Sequence, residues 1–118
     1  VCEAAQSKYP QLQWTLHFHN TRGMGLANAL AAVNSGIDRF DSSLGGLGGC
    51  PYAPGATGNI CTEELVHMLD LMGFNTNMNI DTLLACSKDL QSLIGRQLPS
   101  QLLMAGKVDK LHMAPCQA

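Results

Sequence analysis

His17 and His19 stand one residue apart in a stretch whose residues alternate in character. Leu12, Trp14, Leu16 and Phe18 fall on one side, and Gln13, Thr15, His17 and His19 on the other. A strand has a side-chain period of two, so both imidazoles project from the same face on neighbouring pleats. Two neutral imidazoles at that spacing can share one cation. After one helix-length segment comes Gly45 to Asn59, a loop of 15 residues with six glycines and two prolines that carries the thiol of Cys50. A loop of this length in a compact domain is more often functional than not.

Several elements must position these groups. Val1 to Lys8 reads as the end of a helix, stopped by Tyr9 and Pro10. A strand over Leu12 to His19 follows, then a helix over Thr21 to Ser35, with Leu26, Leu30 and Val33 in its apolar stripe and Gly36 at its end. Ile37 to Ser43 reads as a second strand. The order strand, helix, strand points to a parallel pair joined by a crossover helix. Beyond the loop, Thr62 is placed to cap a helix whose buried face is Leu65, Val66, Met68, Leu69 and Met72, with Gly73 after it. Asp81 is expected to cap another helix, running to Ile94 and stopped by Gly95. A short helix after Pro99 and a loose tail from Gly106 complete the chain.

Composition narrows the classes. The chain has 118 residues, 46% of them hydrophobic, and a formal net charge of −2, so nothing electrostatic favours nucleic acid. No apolar run approaches the roughly 20 residues of a membrane span, and the N-terminus does not read as a signal peptide. The five cysteines, at positions 2, 50, 61, 86 and 116, form no CxxC pair. That argues against a disulfide framework and for the reducing cytoplasm. Cys61 and Cys86 are expected to be small buried hydrophobes, and Met68, Met72 and Met104 core filler. His67 is expected at a surface or boundary.

The architecture itself raises a difficulty. Two parallel strands leave an unpaired edge on each side, whereas parallel sheets are normally extended and covered. The chain therefore reads as α/β, part of a larger protein, with about two parallel strands and four to five helices. Residues 1–95 would form its βα units and 96–118 a C-terminal helix and tail.

Three residue runs carry a specific resemblance: His17 to Asn28, Asp41 to Ser43, and Gly46 to Asn59 with its Gly-Leu-Gly-Gly-Cys-Pro-Tyr core. Together with Thr62 to Leu69 they resemble the 3-hydroxy-3-methylglutaryl-CoA lyase family, over roughly Leu12 to Leu84. The HxH pair alone is shared with related aldolases and acyl-transferring synthases; the glycine loop with Cys50 and Asn59 points to the lyase branch. The resemblance implies the C-terminal part of a TIM (β/α)8 barrel, a fold of about 250 residues. The two strands would be its seventh and eighth, with both histidines at the C-terminal rim where barrel active sites are built.

The resemblance further implies that His17 and His19 bind a divalent cation, Mg²⁺ or Mn²⁺ with Zn²⁺ a further option, and that Asn59 lies close to it. The family's first-strand aspartate and arginine, and the acidic residue of its second strand, have no counterpart in these 118 residues. The implied reaction is a retro-Claisen cleavage of a 3-hydroxyacyl-CoA thioester to acetyl-CoA and a keto product. Cys50 would protonate the acetyl-CoA enolate, a role suited to a thiol of ordinary pKa near ~8.5. Gly46, Gly48 and Gly49 would let the loop close over substrate. By alternation Asp41 and Ser43 share the inward face with Arg39, and either could orient His19 or the loop. Asn20 and Arg22 stand where the better-known lyases have aspartate and tyrosine. They adjoin the metal strand, and the added cation favours an anionic substrate such as a citramalyl-CoA. Two other readings stand beside this one: an inactive barrel fragment that self-associates into a homo-oligomer, and a small zinc module using His17, His19 and Cys50.

Overall fold

A computed structural model describes residues 1–49, 52, 55 and 58–109. Helix α1 spans Cys2–Lys8, strand β1 Leu16–His17, helix α2 Gly25–Asn34 and strand β2 Phe40–Asp41. Helices α3 (Thr62–Leu71), α4 (Ile80–Ile94) and α5 (Gln101–Ala105) follow a short 3-10 turn at Leu44–Gly46. The strands are parallel, with Leu16 opposite Phe40 and His17 opposite Asp41. Both are shorter than the alternation suggested. Beyond Leu16–His17 and Phe40–Asp41 they splay, and the extended segment 58–62 enters between them. It bridges His19 through Asn59 in the antiparallel sense and Ser43 through Cys61 in the parallel sense.

The core lies on one face of this small sheet. Ala29 of α2, Ile60 of the inserted segment and Leu65 of α3 are buried together, with Phe18, Leu26, Phe40, Met68 and Leu69 packed against them. Phe18 and Phe40 thus turn toward the helices, as the apolar side of the alternation requires. The opposite face, with His17 and Asp41, is open. The radius of gyration is 16.4 Å, against roughly 13–14 Å for a compact domain of this length. The described chain is more extended than a closed globule of its length.

Several sequence expectations are corrected. Helix α2 starts at Gly25, not Thr21, because residues 20–23 form a turn in which the Gly23 N–H donates to the Asn20 carbonyl. Cys61, not Thr62, is the N-cap of α3, since the Thr62 N–H is still paired to the Ser43 carbonyl. Asn79 caps α4, accepting from the Thr82 N–H at 2.9 Å. Asp81 lies inside the first turn and pairs with Lys107 at 2.9 Å. Gly95 ends α4 in the left-handed conformation, φ 68°, which glycine adopts without a Cβ clash. Met72 and Met104 are exposed rather than core, and so is Cys86. Its neighbour Ser87 takes the buried position on α4, because a carboxylate waits there for a hydroxyl. The tail is tied as far as Asp109 by Lys107 and by the Val108 N–H, which donates to His67 Nε2.

Candidate active site

The in-register pairing of β1 and β2 sets the first contact. His17 and Asp41 lie opposite each other on the open face, and the imidazole Nδ1 meets the carboxylate Oδ1 at 2.5 Å. The His17 and His19 rings approach edge to face with centroids 5.0 Å apart. The alternation at Gln13 to His19 therefore does bring the two imidazoles to one place. Both lie at the C-terminal end of β1.

Asn59 joins them through the inserted segment. Its Nδ2 donates to Ser43 Oγ at 2.8 Å and to the Leu47 carbonyl at 3.0 Å. Because a carbonyl can only accept, the Leu47 contact settles which end of the amide is nitrogen. The carbonyl end, Oδ1, is buried and has no hydrogen-bond partner among the described residues. A buried amide oxygen left unpaired costs about 1–3 kcal/mol, so this acceptor is a natural cation ligand beside the strand of the two histidines. Among the described residues no group of three or more His, Cys, Asp and Glu could hold a metal ion. His17, His19 and the Asn59 oxygen could hold a metal only together with further donors. The residues present fit a divalent cation that accepts mixed nitrogen and oxygen ligands.

Asn20 serves the backbone. Its Oδ1 accepts from the Gly25 N–H at 3.0 Å at the start of α2, and its own N–H donates to the Gly58 carbonyl. Arg22 is exposed in the turn directly after His19. Cys50 lies outside the described residues, and with it the sequence expectation for the thiol.

The base of the loop is well defined. Gly46 and Gly48 have φ of 68° and 91°, which L-residues with a Cβ adopt rarely. A Cβ on Gly48 would lie 2.8 Å from Asn59 Nδ2. Gly49 is exposed. The two ends of the loop touch: a Cβ on Gly58 would lie 1.8 Å from the Gly46 carbonyl oxygen. Gly58→Ala is therefore expected to force the ends apart, lowering stability by about 1–3 kcal/mol and the Tm with it. A thermal melt unchanged from wild type would show that the ends do not touch.

Sequence reasoning passed over one acidic residue. Glu63 in the first turn of α3 has no exposed surface. It accepts from the Gly45 N–H at 3.1 and 2.9 Å, from Cys61 Sγ at 2.8 Å and from Ser87 Oγ. The only sequence signal was its place next to a helix start. Burial, and then the Glu63 contact, push the Cys61 thiol up to about 12, so Cys61 stays a protonated donor at neutral pH rather than a nucleophile.

Comparisons with known proteins place the chain in a family. The chain matches the HMGL-like family model over residues 2–90. It is 48% identical over 107 residues to the hydroxymethylglutaryl-CoA lyase YngG of Bacillus subtilis, covering 91% of this chain and 36% of that protein. It is 44% identical over 117 residues to the (R)-citramalyl-CoA lyase of Chloroflexus aurantiacus, covering 98% of this chain and 37% of the relative. An HMG-CoA lyase from A. baumannii, solved with coenzyme A and 3-methylmalate, superposes with a TM-score of 0.89 and 52% identity over 97% of this chain and 37% of its own. The chain thus spans about a third of the length of the relatives it matches. The two parallel strands and five helices among the described residues are part of the lyase TIM barrel. On the strength of the family match and these relatives, the chain belongs to the HMGL-like family.

Proposed function

We propose that this chain supplies the C-terminal part of the active site of a 3-hydroxyacyl-CoA lyase, cleaving a carbon–carbon bond to give acetyl-CoA and a keto product. The observation that carries this reading is the buried, unpartnered Asn59 Oδ1 beside a strand that presents His17 and His19 from one face. His17, His19 and Asn59 are assigned as ligands of a divalent cation, Mg²⁺ or Mn²⁺ with Zn²⁺ also suited to the imidazoles. Bound there, the cation supplies Lewis-acid polarisation of substrate oxygen. The substrate hydroxyl gives up its proton to a base, the carbon–carbon bond breaks as the ketone forms, and the acetyl-CoA enolate carbon takes a proton from the Cys50 thiol. Gly46, Gly48 and Gly49 form the arm that brings this thiol over the substrate.

Asp41 is assigned a positioning role. An Nδ1–H donated from His17 to Asp41 leaves Nε2 as the free lone pair and holds the ring at one angle. Asp41→Ala is expected to weaken Mn²⁺ binding by about 10–100-fold, read by titration calorimetry; unchanged affinity would remove Asp41 from the site. Ser43 does the equivalent for Asn59 by accepting from its Nδ2, which leaves the carbonyl end available.

Both substrates named among the relatives carry a free carboxylate, which the exposed cation of Arg22 in the turn beyond His19 suits equally. Activity is assigned to a polypeptide that joins these 118 residues, with two strands of the usual eight, to the remaining barrel units. Acetyl-CoA release from hydroxymethylglutaryl-CoA and from citramalyl-CoA, with and without a chelator, tests the proposal. Cleavage of either, lost with the metal, is the expected result; cleavage of neither overturns it. Light scattering on the 118 residues alone tests the alternative of a self-associating, inactive fragment, in which the open strand edges pair between copies.

A further inference from the structure

We infer that Glu63 is a positioning residue that locks the neck of the glycine loop, and through it the registration of Asn59 against the histidine strand. The inference rests on the lyase reading for its kinetic consequence, but not for its structural one.

A carboxylate with no exposed surface is costly unless its oxygens are satisfied. Glu63 is satisfied by three donors from three parts of the chain: the Gly45 N–H of the loop, the Cys61 thiol at the cap of α3 and the Ser87 hydroxyl of α4. No Lys, Arg or His pairs with it among the described residues. Its position in the first turn of α3 places it against the positive end of the helix dipole, which takes the part of a counter-cation. An anion so placed makes hydrogen bonds stronger than neutral ones.

Of the three donors, Gly45 matters to the site. Its N–H points to both carboxylate oxygens, while the Leu98 side chain fills the space where a Cβ would be, with Leu98 Cδ1 2.5 Å from that point. Its φ of 61° interrupts the 3-10 turn. The residue is held between a buried anion and a buried leucine, and the chain leaves it in one direction only. One residue on, the Gly46 carbonyl meets Gly58, and Gly46 itself lies under the Asn59 carbonyl. The clamp at Gly45 therefore fixes both ends of the loop. It sets Asn59 where Ser43 and Leu47 hold it.

The role separates from mere stabilisation because Ser87 touches the same carboxylate without touching the loop. Glu63→Gln keeps the shape but turns one acceptor into an N–H donor facing the Gly45 N–H. In the full-length protein carrying this chain, amide exchange at Gly45 is expected to speed up about tenfold or more. The kcat for thioester cleavage is expected to fall about tenfold or more, with KM within about twofold. Ser87→Ala lowers the Tm but leaves Gly45 exchange and kcat within about twofold of wild type. Should the glutamine variant not fold, Glu63→Asp, which keeps the charge and withdraws it by one methylene, carries the same comparison. Unchanged Gly45 exchange in the Glu63 variant, or an equal loss of kcat in Ser87→Ala, overturns the inference. If the wild type cleaves no thioester, the lyase reading fails, and Gly45 exchange still decides the role of Glu63.

Discussion

His17→Ala and His19→Ala are each expected to abolish tight divalent-cation binding and to lower kcat by about 10³-fold or more, several kcal/mol of Lewis-acid stabilisation being at stake. The two rings stand 5.0 Å apart at the end of β1, and no group of three or more His, Cys, Asp and Glu among the described residues could hold a metal in their place. A single remaining imidazole with the Asn59 oxygen is a poor site, because each lost nitrogen ligand must be replaced by water. The two variants should differ in one respect. Losing His17 also strands the Asp41 carboxylate that it meets at 2.5 Å, whereas losing His19 leaves that pair intact. Calorimetry with Mn²⁺ and acetyl-CoA release on the full-length protein check both. Retained Mn²⁺ affinity in both variants would show that the histidines hold no metal.

Cys50→Ala is expected to lower kcat by about 10²–10⁴-fold, the range of a lost general acid, with KM nearly unchanged. In the proposed reaction the thiol would be needed only after the carbon–carbon bond breaks, so its removal would take away an interaction of the transition state and not of the bound substrate. Cys50→Ser should not restore the rate, since a hydroxyl is a far weaker acid than a thiol. The contrast with Cys61 supports the choice of thiol. Cys61 is buried, bonded to Glu63 and pushed up to about 12, and takes no part in proton transfer near neutral pH. A Cys50→Ala enzyme with wild-type kcat would end the proton-donor assignment.

The sequence expectations that held are local ones. Alternation from Leu12 to His19 depends on residues two apart, and it correctly set Phe18 toward the core and paired the two imidazoles. The glycine after Ile94 ends α4 because its left-handed conformation is a property of that residue alone. The expectations that failed were choices among neighbours that only packing could make. Thr62 and Cys61 both stood at a helix start, and the backbone pairing with Ser43 decided between them. Cys86 and Ser87 are adjacent on α4, and the buried Glu63 selected the hydroxyl for the inside. Met72 and Met104 satisfied an apolar pattern and are nevertheless exposed.

By itself, then, the order of residues determined the ingredients of the site: two imidazoles on one strand face, a thiol on a glycine loop, and runs shared with a known lyase family. Tertiary structure decided how the described residues meet. The His17–Asp41 contact spans 24 residues, the Asn59–Ser43 contact 16 and the Glu63–Gly45 contact 18. Each arises from strand register or from insertion of residues 58–62 between two splayed strands. Side-chain periodicity repeats within a few residues and carries no register, and a carboxylate's burial depends on donors brought in from elsewhere in the chain. For that reason Glu63 looked like an ordinary first-turn acid until the fold closed three donors around it.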